Sequence, residues 1–405
     1  MPDRIETENA YGRGVVLNWA SIIDPNAMAQ AEMTSRSPVV AGHVALMPDA
    51  HLGLGATIGS VVLTRNAIIP AAVGVDIGCG MNAVHFDFPY ANLPPGSHGA
   101  LAAALRAGIP NGVGQNHHEF TWRWEDWVQD NGYAPSMEIG RPLDVLDERA
   151  GLQFGTLGSG NHFAEFSVDE AGDVWAIVHS GSRGTGNKIA QHHIDIAKAE
   201  CAERGLESLD LAYLRAGTDT FDAYIADMLW AQRYAAGQRD AMMGVMVDAM
   251  ASVVDERYGV EVLDAINCHH NYAFQLGHSD RWLTRKGAIA AAPGVMGVIP
   301  GSMGTDTYIV TGLGNADSYD SAPHGAGRVH SRGAARRSLS LDDFRATMTG
   351  KTWDDRNAEA LLDEAPAAYK PIETVMSDAD DLVRPVARLQ SFVNFKAADG
   401  KRRKK

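Results

Sequence analysis

The stretch V-G-V-D-I-G-C-G-M at residues 73–81 places Asp76 and Cys79 three residues apart in a glycine-rich turn. Glycine lets the backbone bend tightly, so the carboxylate and the thiol can point at the same metal ion. Histidines follow in downstream motifs that are also rich in glycine or asparagine: G-S-G-N-H-F with His162, H-S-G-S-R-G with His179, C-H-H-N with His269 and His270, and H-G-A-G-R with His324. This pattern predicts a metal site assembled from distant parts of one domain.

The spread of these residues also constrains domain organisation. A length of 405 residues alone would favour two or three domains. However, the candidate ligands run from position 76 to position 324, and no Pro/Ser-rich linker or charge run divides the chain. We therefore predict one large domain over residues 1–396, followed by a basic C-terminal tail at residues 397–405.

Hydrophobic periodicity and turn residues predict the secondary structure. The expected strands and extended segments are 57–65, 71–88 with the D-I-G-C-G turn inside it, 174–179, and two strands within 294–313. The expected helices are 187–204, 218–258 and 341–362. Because these elements intermix without regular βαβ spacing, the predicted fold class is α+β, a single large domain with mixed β-sheets flanked by helices.

Composition narrows the cellular setting. Three cysteines in so long a chain argue against a disulfide framework and for a reducing compartment. We find no signal-peptide pattern and no apolar run long enough to span a membrane, so we expect a cytoplasmic protein without a membrane partner. The net charge of −15 argues against a general nucleic-acid-binding surface. Basic residues nevertheless cluster at 328–337 and 401–405, so the sequence is compatible with a local basic surface.

The ligand types suit several metals. Carboxylate, thiolate and imidazole together fit zinc, cobalt, nickel or manganese, and a thiolate can bridge two ions. For any single histidine, the alternative is a hydrogen-bonded structural role. The loops at 155–162 and 299–305 could cradle phosphates with backbone N–H groups, or they could be tight structural turns. His324, between proline and glycine on a turn, could attack phosphorus, with Arg183 and Arg328 pairing phosphate oxygens.

Seven motifs together resemble the RtcB family of GTP- and manganese-dependent RNA-splicing ligases. They follow one another in order over nearly the whole chain: P-D-A-H-L-G-L-G (48–55), D-I-G-C-G (76–80), G-S-G-N-H-F-A-E (158–165), H-S-G-S-R-G (179–184), H-H-N-Y (269–272), I-P-G-S-M-G (299–304) and H-G-A-G-R (324–328). The resemblance implies an RtcB-like fold of the compact bacterial type.

The resemblance also implies a reaction. Such enzymes join an RNA 3′-phosphate or 2′,3′-cyclic phosphate end to a 5′-hydroxyl end, in RNA repair or tRNA splicing. A histidine, His324 here, takes guanylate from GTP and passes it to the RNA 3′-phosphate, and the 5′-hydroxyl then displaces GMP. The implied cofactors are two manganese ions and GTP. The implied partners are broken RNA and GTP, an accessory activating protein is a candidate partner, and we expect a monomer.

Motif by motif, the resemblance assigns site residues. The catalytic residues are His324 and Arg183. The metal ligands are Asp76, Cys79, His162, His179 and His270, with Cys79 as the bridging ligand. The guanylate contacts are Asn161, His162, Phe163, Ala164, Glu165, His270, Asn271, Pro300, Gly301, Ser302, Met303, Thr307, His324, Gly325, Ala326, Gly327, Tyr369 and Lys396.

Two other functions use the same residues. A dinuclear-metal phosphatase or cyclic phosphodiesterase acting on nucleotides would need the Asp76, Cys79 and histidine cluster but not a nucleophilic His324. A non-enzymatic metal- or GTP-binding module would form no covalent intermediate. Replacement of His324 by alanine separates the ligase from the hydrolase, because only the ligase depends on that nucleophile.

Overall fold

The computed structural model describes residues 1–133, 143–254 and 259–398. The strands in this part of the chain are β1 (Asp3–Asn9), β2 (Gly12–Asn18), β3 (Val40–His51), β4 (Ile58–Arg65), β5 (Ala67–Ile68), β6 (Gly80–Pro89), β7 (Phe163–Val168), β8 (Asp173–Ser180), β9 (Leu214–Arg215), β10 (Val262–His269), β11 (Asn271–Gln275), β12 (Arg281–Lys286), β13 (Ala288–Ala290), β14 (Met296–Pro300), β15 (Thr307–Gly312), β16 (Ser321–Pro323) and β17 (Val383–Lys396).

The α-helices of the same ranges are α1 (Pro25–Ser35), α2 (Pro70–Val73), α3 (Ser97–Gly108), α4 (Trp122–Asn131), α5 (Leu143–Gln153), α6 (Arg183–Cys201), α7 (Asp219–Val253), α8 (Arg332–Ser338), α9 (Leu341–Thr347), α10 (Ala358–Leu361) and α11 (Ile372–Asp378). Helix α7 is the longest, at 35 residues. None of these helices is both long and apolar enough to cross a membrane.

A six-stranded sheet has the order β1-β2-β3-β4-β12-β11. Its pairs are antiparallel except β2 with β3, which is parallel, so the sheet is mixed. Val44 and Leu46 of β3 pack with Ala31 of α1 on one face, while Ala45 and Met47 belong to a separate buried cluster on the other. This alternation is expected for a strand buried on both faces.

A seven-stranded antiparallel sheet has the order β10-β6-β8-β7-β17-β15-β14. One face carries Phe86 and Phe166, which pack against Leu105 of α3 and Met246 of α7. On its other face the sheet curls, so that its two edge strands approach each other. Residues from the two edge strands, β10 and β14, lie in the same buried cluster as residues from the inner strand β8.

The predicted α+β fold as one large domain of sheets flanked by helices is confirmed. Strands β4 and β8 and helix α7 lie where the sequence predicted them. The predicted helix 218–258 runs partly into residues 255–258, outside the described ranges, as does most of the predicted tail.

Two secondary-structure predictions were wrong in detail. Residues 71–73, predicted as extended, belong to the short helix α2, because Pro70 is suited to a first helical position. The predicted helix 341–362 is interrupted: α9 ends at Thr347 and Gly350 adopts φ +82°. The backbone of Thr352 then pairs with β17, donating to Phe392 O and accepting from Asn394 N, both at 2.8 Å.

Candidate metal centre and adjoining cavity

Four neighbouring strands of the seven-stranded sheet, β10, β6, β8 and β7, bring the predicted metal ligands together. Cys79 directly precedes β6 and His162 directly precedes β7, whereas His179 lies near the end of β8 and His270 directly follows β10. Because adjacent strands run antiparallel, the first residues of β6 and β7 lie beside the last residues of β8 and β10, at one end of the sheet. The register pairs are Met81 with His179, Phe163 with His179, and Gly80 with His269.

The side chains at this end of the sheet converge on Cys79. Its Sγ lies 3.4 Å from His162 Nε2 and 3.3 Å from His179 Nε2. His270 Nε2 lies 3.3 Å from His179 Nε2, and Asp76 Oδ2 lies 3.0 Å from His162 Nε2. Two groups of potential ligands therefore share the Cys79 sulfur: Cys79 with His179 and His270, and Cys79 with Asp76 and His162.

The donor set fits a metal centre. His179 Nδ1 lies 3.1 Å from the main-chain oxygen of Asn161, which can only accept, so Nε2 carries the lone pair that faces the cluster. The Nδ1 atoms of His162 and His270 are buried and have no hydrogen-bond partner among the described residues. One thiol, one carboxylate and three imidazoles at these distances suit borderline divalent ions, and a shared sulfur suits two of them.

Electrostatics in the metal-free cluster keep most ligands neutral. Burial, assisted by the adjacent charge of Asp76, raises the pKa of Cys79 well above its usual value. Burial and neighbouring imidazoles lower the pKa values of His179 and His270 well below the usual histidine value. Burial opposes ionisation of Asp76, but the hydrogen bond and charge of His162 outweigh it and its pKa is lowered. Metal binding must therefore release the thiol proton.

Helix α7 supports the cluster from behind. Arg239 is fully buried, and its Nη1 donates to the main-chain oxygens of Gly78 at 2.7 Å and Ser180 at 3.0 Å. Gln238 donates to the main-chain oxygen of Gly181 at 2.6 Å. These two side chains tie the turn before Cys79 to the end of β8. Sequence reasoning missed them, because the interior of a long helix carries no local signal of such a role.

His324 follows β16 and faces the buried carboxylate of Asp49. Its Nδ1 lies 2.6 Å from Asp49 Oδ2, which also accepts from the main-chain N–H groups of His324 and Gly325 at 3.0 and 3.1 Å. The His324 ring is 4.7 Å from the ring of His270. Because Nδ1 lies this close to a carboxylate oxygen, which can only accept, the proton is on Nδ1 and Nε2 is the nitrogen left to react. Asp49 lies in the P-D-A-H-L-G-L-G motif, which the sequence singled out without assigning it a role.

A cavity of about 330 Å³ opens beside His324. Most of the predicted guanylate contacts line it: Asn161, Phe163, Glu165, Pro300, Gly301, Ser302, Met303, Thr307, His324, Gly325, Ala326, Gly327, Tyr369 and Lys396. A second cavity of about 230 Å³ is lined by Asp76, Cys79, His270 and Lys286, among others. The two cavities share His51, Ile58, Asn161 and His324. The metal cluster and His324 thus lie between two adjoining spaces.

Some predicted contacts lie elsewhere. Ala164 is fully buried in the core on the face of β7 opposite to Phe163 and Glu165. Asn271 lines the second cavity, and His162 and Arg183 are not among the residues lining either one. Arg183 begins α6 with φ +57°, and its Nε donates to Thr156 Oγ1 at 3.2 Å. Its positive charge contributes to the lowered pKa of Asp76, a predicted metal ligand.

Glu364, a buried carboxylate that was not predicted from the sequence, contacts several side chains that line the larger cavity. Glu364 Oε2 accepts from Tyr369 Oη at 2.6 Å and lies 3.1 Å from Lys396 Nζ, and its Oε1 lies 2.9 Å from Arg332 Nη1. Burial opposes its ionisation, but the charges of Lys396 and Arg332 lower its pKa below the usual value. Glu364 therefore remains ionised and holds three lining side chains in place.

Glu165 forms a second acidic position in the lining of the larger cavity. It accepts from Asn394 Nδ2 at 2.9 Å and from Thr307 Oγ1 at 3.3 Å, and burial raises its pKa. The Phe163 ring lies next to it, with Lys396 Nζ 5.6 Å from the ring centroid. A carboxylate, an amide and an aromatic face in one cavity can recognise a planar, hydrogen-bonding base.

Comparison with known proteins agrees with this geometry. The model of a family described as tRNA-splicing ligase RtcB matches residues 30–397. The chain is 41% identical to an RNA-splicing ligase RtcB1 of one Escherichia coli strain and 40% identical to the RNA-splicing ligase RtcB of Escherichia coli K12, with 97% of this chain and 98% of each relative covered. It is 30% identical to a tRNA-splicing ligase RtcB of Pyrobaculum aerophilum, over 82% of this chain and 83% of that relative.

Proposed function

The chain belongs to the RtcB family of tRNA-splicing ligases, and from this premise we propose that it is a GTP-dependent RNA ligase that joins 3′-phosphate or 2′,3′-cyclic phosphate ends to 5′-hydroxyl ends. One observation carries the proposal. His324, paired with a buried carboxylate, lies between a cluster of metal-ligand side chains and a cavity suited to a nucleotide base. The physiological process is RNA repair or tRNA splicing.

The reaction has three transfers. His324 Nε2 attacks the α-phosphorus of GTP, pyrophosphate leaves, and guanylate is held on the imidazole. The RNA 3′-phosphate then attacks the same phosphorus and frees His324, which leaves an activated 3′ end. Finally the RNA 5′-hydroxyl attacks the 3′-phosphorus and GMP leaves. A cyclic phosphate is first hydrolysed to a 3′-phosphate. Asp49 favours the first transfer because its carboxylate stabilises positive charge on the His324 ring.

The metal ligands are Asp76, Cys79, His162, His179 and His270. These five residues, with Cys79 common to both groups of ligands, would hold two manganese ions, which would neutralise charge that develops on phosphoryl oxygens. Arg183, held at the edge of the cluster by Thr156, contributes further positive charge. The protein's own part is to keep five ligands converged and to hold the His324 proton on Nδ1.

The guanine base is assigned to the larger cavity. Glu165 and the loop Pro300–Met303 offer hydrogen-bonding groups, and Tyr369 and Phe163 offer aromatic faces. Lys396, buried beside Glu364, adds a donor. Ala164 contributes through its backbone only, because its side chain faces the core. Asn161, Thr307 and Gly325 to Gly327 line the same space, whereas the predicted contacts His270 and Asn271 line the second cavity and His162 lines neither.

The catalytic domain extends over residues 1–396 and the basic tail over 397–405, and the protein acts as a cytoplasmic monomer. An accessory activating protein remains a candidate partner. The domain bounds rest on the spread of the candidate ligands, the location rests on composition, and the accessory protein rests on the family resemblance.

The test is covalent labelling. Protein incubated with α-³²P-GTP and Mn²⁺ should retain label after denaturation, and the label should be acid-labile, as a phosphoramidate is. His324→Ala should abolish the label while metal content, measured by plasma emission, stays unchanged. The matched control is His330→Ala, an exposed histidine six residues further along. Absence of label in the wild type, with release of phosphate from nucleotides, would favour the dinuclear-metal hydrolase instead.

A further inference from the structure

His51 presents an available ring nitrogen to both cavities. Its Nδ1 lies 3.0 Å from the main-chain oxygen of Asp49. A carbonyl oxygen only accepts, so the proton is on Nδ1 and the lone pair is on Nε2. The ring lines both cavities, and within the described ranges Nε2 has no hydrogen-bond partner. His51 therefore offers an unused proton acceptor beside the reactive His324.

Asp49 sets the orientation of both imidazoles at once. Its carboxylate faces His324 Nδ1 and its main-chain oxygen faces His51 Nδ1. The two rings are nearly parallel, with an interplanar angle of 18° and centroids 6.4 Å apart. Lys370 Nζ donates to the main-chain oxygens of Pro48 and Ala50, each at 2.8 Å, and so fixes the backbone on both sides of Asp49. The His51 tautomer is thus built into the fold.

Of the three transfers that follow once the RNA end is a 3′-phosphate, one needs a proton acceptor. In the first two transfers the attacking atoms are an imidazole nitrogen with a lone pair and an ionised phosphate oxygen, and neither has a proton to lose. The third transfer differs, because the attacking 5′-hydroxyl must lose its proton as it bonds to phosphorus. A positioned base at that step accelerates the reaction by about 10²- to 10⁴-fold.

We propose that His51 is the general base of the sealing step. Its Nε2 takes the proton of the RNA 5′-hydroxyl while O5′ forms its bond to the 3′-phosphorus. The bond from that phosphorus to the GMP oxygen breaks, and its electron pair leaves with GMP. The proton on His51 then passes to solvent. This inference rests on the proposed ligase function and adds the residue that activates its last nucleophile.

The surroundings of His51 keep its imidazole neutral. The charged or titratable groups that face it are Asp49, His324 and Lys370. Burial is the main cause that lowers the pKa of His51 to about 4, with His324 and Lys370 acting in the same direction and Asp49 against them. The lone pair is therefore available across the working range of pH, and incoming phosphate anions favour the protonated ring that forms during reaction.

The test isolates the sealing step. RNA bearing a preformed 3′-guanylylated end is mixed with 5′-hydroxyl RNA and excess enzyme, and single-turnover sealing is followed from about pH 6 to about pH 9. The variants are His51→Asn, whose amide N–H replaces the Nδ1 donor to Asp49 but offers no base, and His51→Ala. The control is His43→Asn, a histidine on the same strand β3 that contacts Asp317 and Tyr319 instead.

We expect both His51 variants to seal roughly 10²-fold or more slowly than the wild type. Their rates should rise in proportion to hydroxide concentration, and added imidazole should partly restore His51→Ala. GTP labelling of His324 should stay within about threefold of the wild-type level, because no proton acceptor is needed there. His43→Asn should behave as the wild type.

Equal sealing by His51→Asn and the wild type would overturn the inference and leave the ligase proposal standing. Loss of His324 labelling in parallel with sealing, without imidazole rescue, would show that His51 only positions the site and would also overturn it. Failure of the wild type both to label and to seal would remove the proposed function itself, and the inference with it.

Discussion

At the scale of single residues, Asp49 contacts two histidines, His324 and His51, and orients both of them. Its carboxylate is fully buried, and Oδ2 meets two main-chain N–H groups and the Nδ1 of His324, which offsets part of the cost of burying the charge. Oδ1 has no hydrogen-bond partner among the described residues. Its own carbonyl directs His51. One residue therefore leaves two imidazoles with their lone pairs on Nε2.

Gly181 shows the steric limits of the metal cluster. A Cβ added there would lie 2.2 Å from Asp76 Oδ1, far inside van der Waals contact. Gly181→Ala should therefore displace the Asp76 carboxylate and weaken Mn²⁺ binding by about 10- to 100-fold, as measured by isothermal titration calorimetry.

A matched glycine serves as its control. Gly99 lies in α3 with no atom within 4 Å of an added Cβ, so Gly99→Ala should bind Mn²⁺ as the wild type does and gain up to about 1 kcal/mol of stability. Unchanged Mn²⁺ affinity in Gly181→Ala would contradict the assignment of Asp76 as a ligand.

Residue types alone could predict the metal ligands, but not the buried residues that hold the site in place. Asp76, Cys79 and the histidines carry a local signal, because reactive side chains in glycine-rich turns are seldom core packing. Arg239 and Glu364 carry none. Arg239 acts on Gly78, which is 161 residues away, and such a contact exists only in the folded sheet.

At the scale of secondary-structure elements, strand register decides the site. The sequence predicted β8 and the turn before β6 as separate pieces, but the pairing of Met81 with His179 follows from the antiparallel alignment of the two strands. A shift of one residue would turn His179 to the opposite face of the sheet. Register is a long-range property, so pattern reading could not supply it.

Arg239 connects helix α7 to that register. Its guanidinium is fully buried, donates to Gly78 and Ser180, and bonds Asn267 Oδ1 at 2.7 and 2.9 Å. Arg239→Met removes the donor to Asn267 Oδ1 and the side chain that joins Gly78 to Ser180, and leaves the Gly78 oxygen with His269 Nδ1 at 2.9 Å. We expect Mn²⁺ affinity to fall at least about tenfold and the melting temperature to drop, because the turn before Cys79 loses its anchor.

The control for this variant is Arg233→Met, an exposed arginine on the same helix. Titration of Mn²⁺ together with calorimetric melting distinguishes the two positions. Equal metal affinity for Arg239→Met and Arg233→Met would show that the metal cluster is positioned without Arg239.

The interrupted helix 341–362 shows a limit of local patterns at this scale. Its residues favour a helix, but Thr352 gains two backbone hydrogen bonds to β17 by leaving it. Gly350, with positive φ, makes that exit inexpensive. Tertiary pairing here overrides local propensity.

At the scale of the whole molecule, three arginines beside the larger cavity are paired with two buried carboxylates rather than left as an unpaired basic face. The arginines that suggested such a face include Arg328, Arg332 and Arg336, and all three contact Asp363 or Glu364. An acidic protein can therefore keep its cations beside the cavity without a strongly basic surface. Arg332 and Arg336 remain 40% exposed, so they can still meet a phosphate.

Glu364 ties that arrangement to stability. Its folded-state pKa lies below the ordinary 4.5, so the unfolded chain binds its proton more readily. The contribution is present above about pH 4.5 and is lost as the pH falls through the lower folded-state value. Glu364→Gln should cost about 3–5 kcal/mol at pH 7, because buried Lys396 loses its partner.

Urea denaturation at pH 7 and at pH 3.5 checks this expectation. The difference in free energy of unfolding between Glu364→Gln and the wild type should shrink at pH 3.5, which is about one unit below the ordinary pKa of glutamate. Glu359→Gln, at an exposed position on α10, should leave stability within about 0.5 kcal/mol. A difference independent of pH would mean that Glu364 stabilises through packing alone.

The contacts within the metal cluster also imply an order of events during synthesis. Cys79 meets His162 across 83 residues and His179 across 100, and His179 meets His270 across 91. The ligand set is incomplete until residue 270 has emerged from the ribosome, and His324 reaches Asp49, 275 residues earlier, only afterwards. A nascent chain thus completes its ion-holding cluster before it acquires its nucleophile, and a polypeptide released between the two would hold the ligands without the means to take up guanylate.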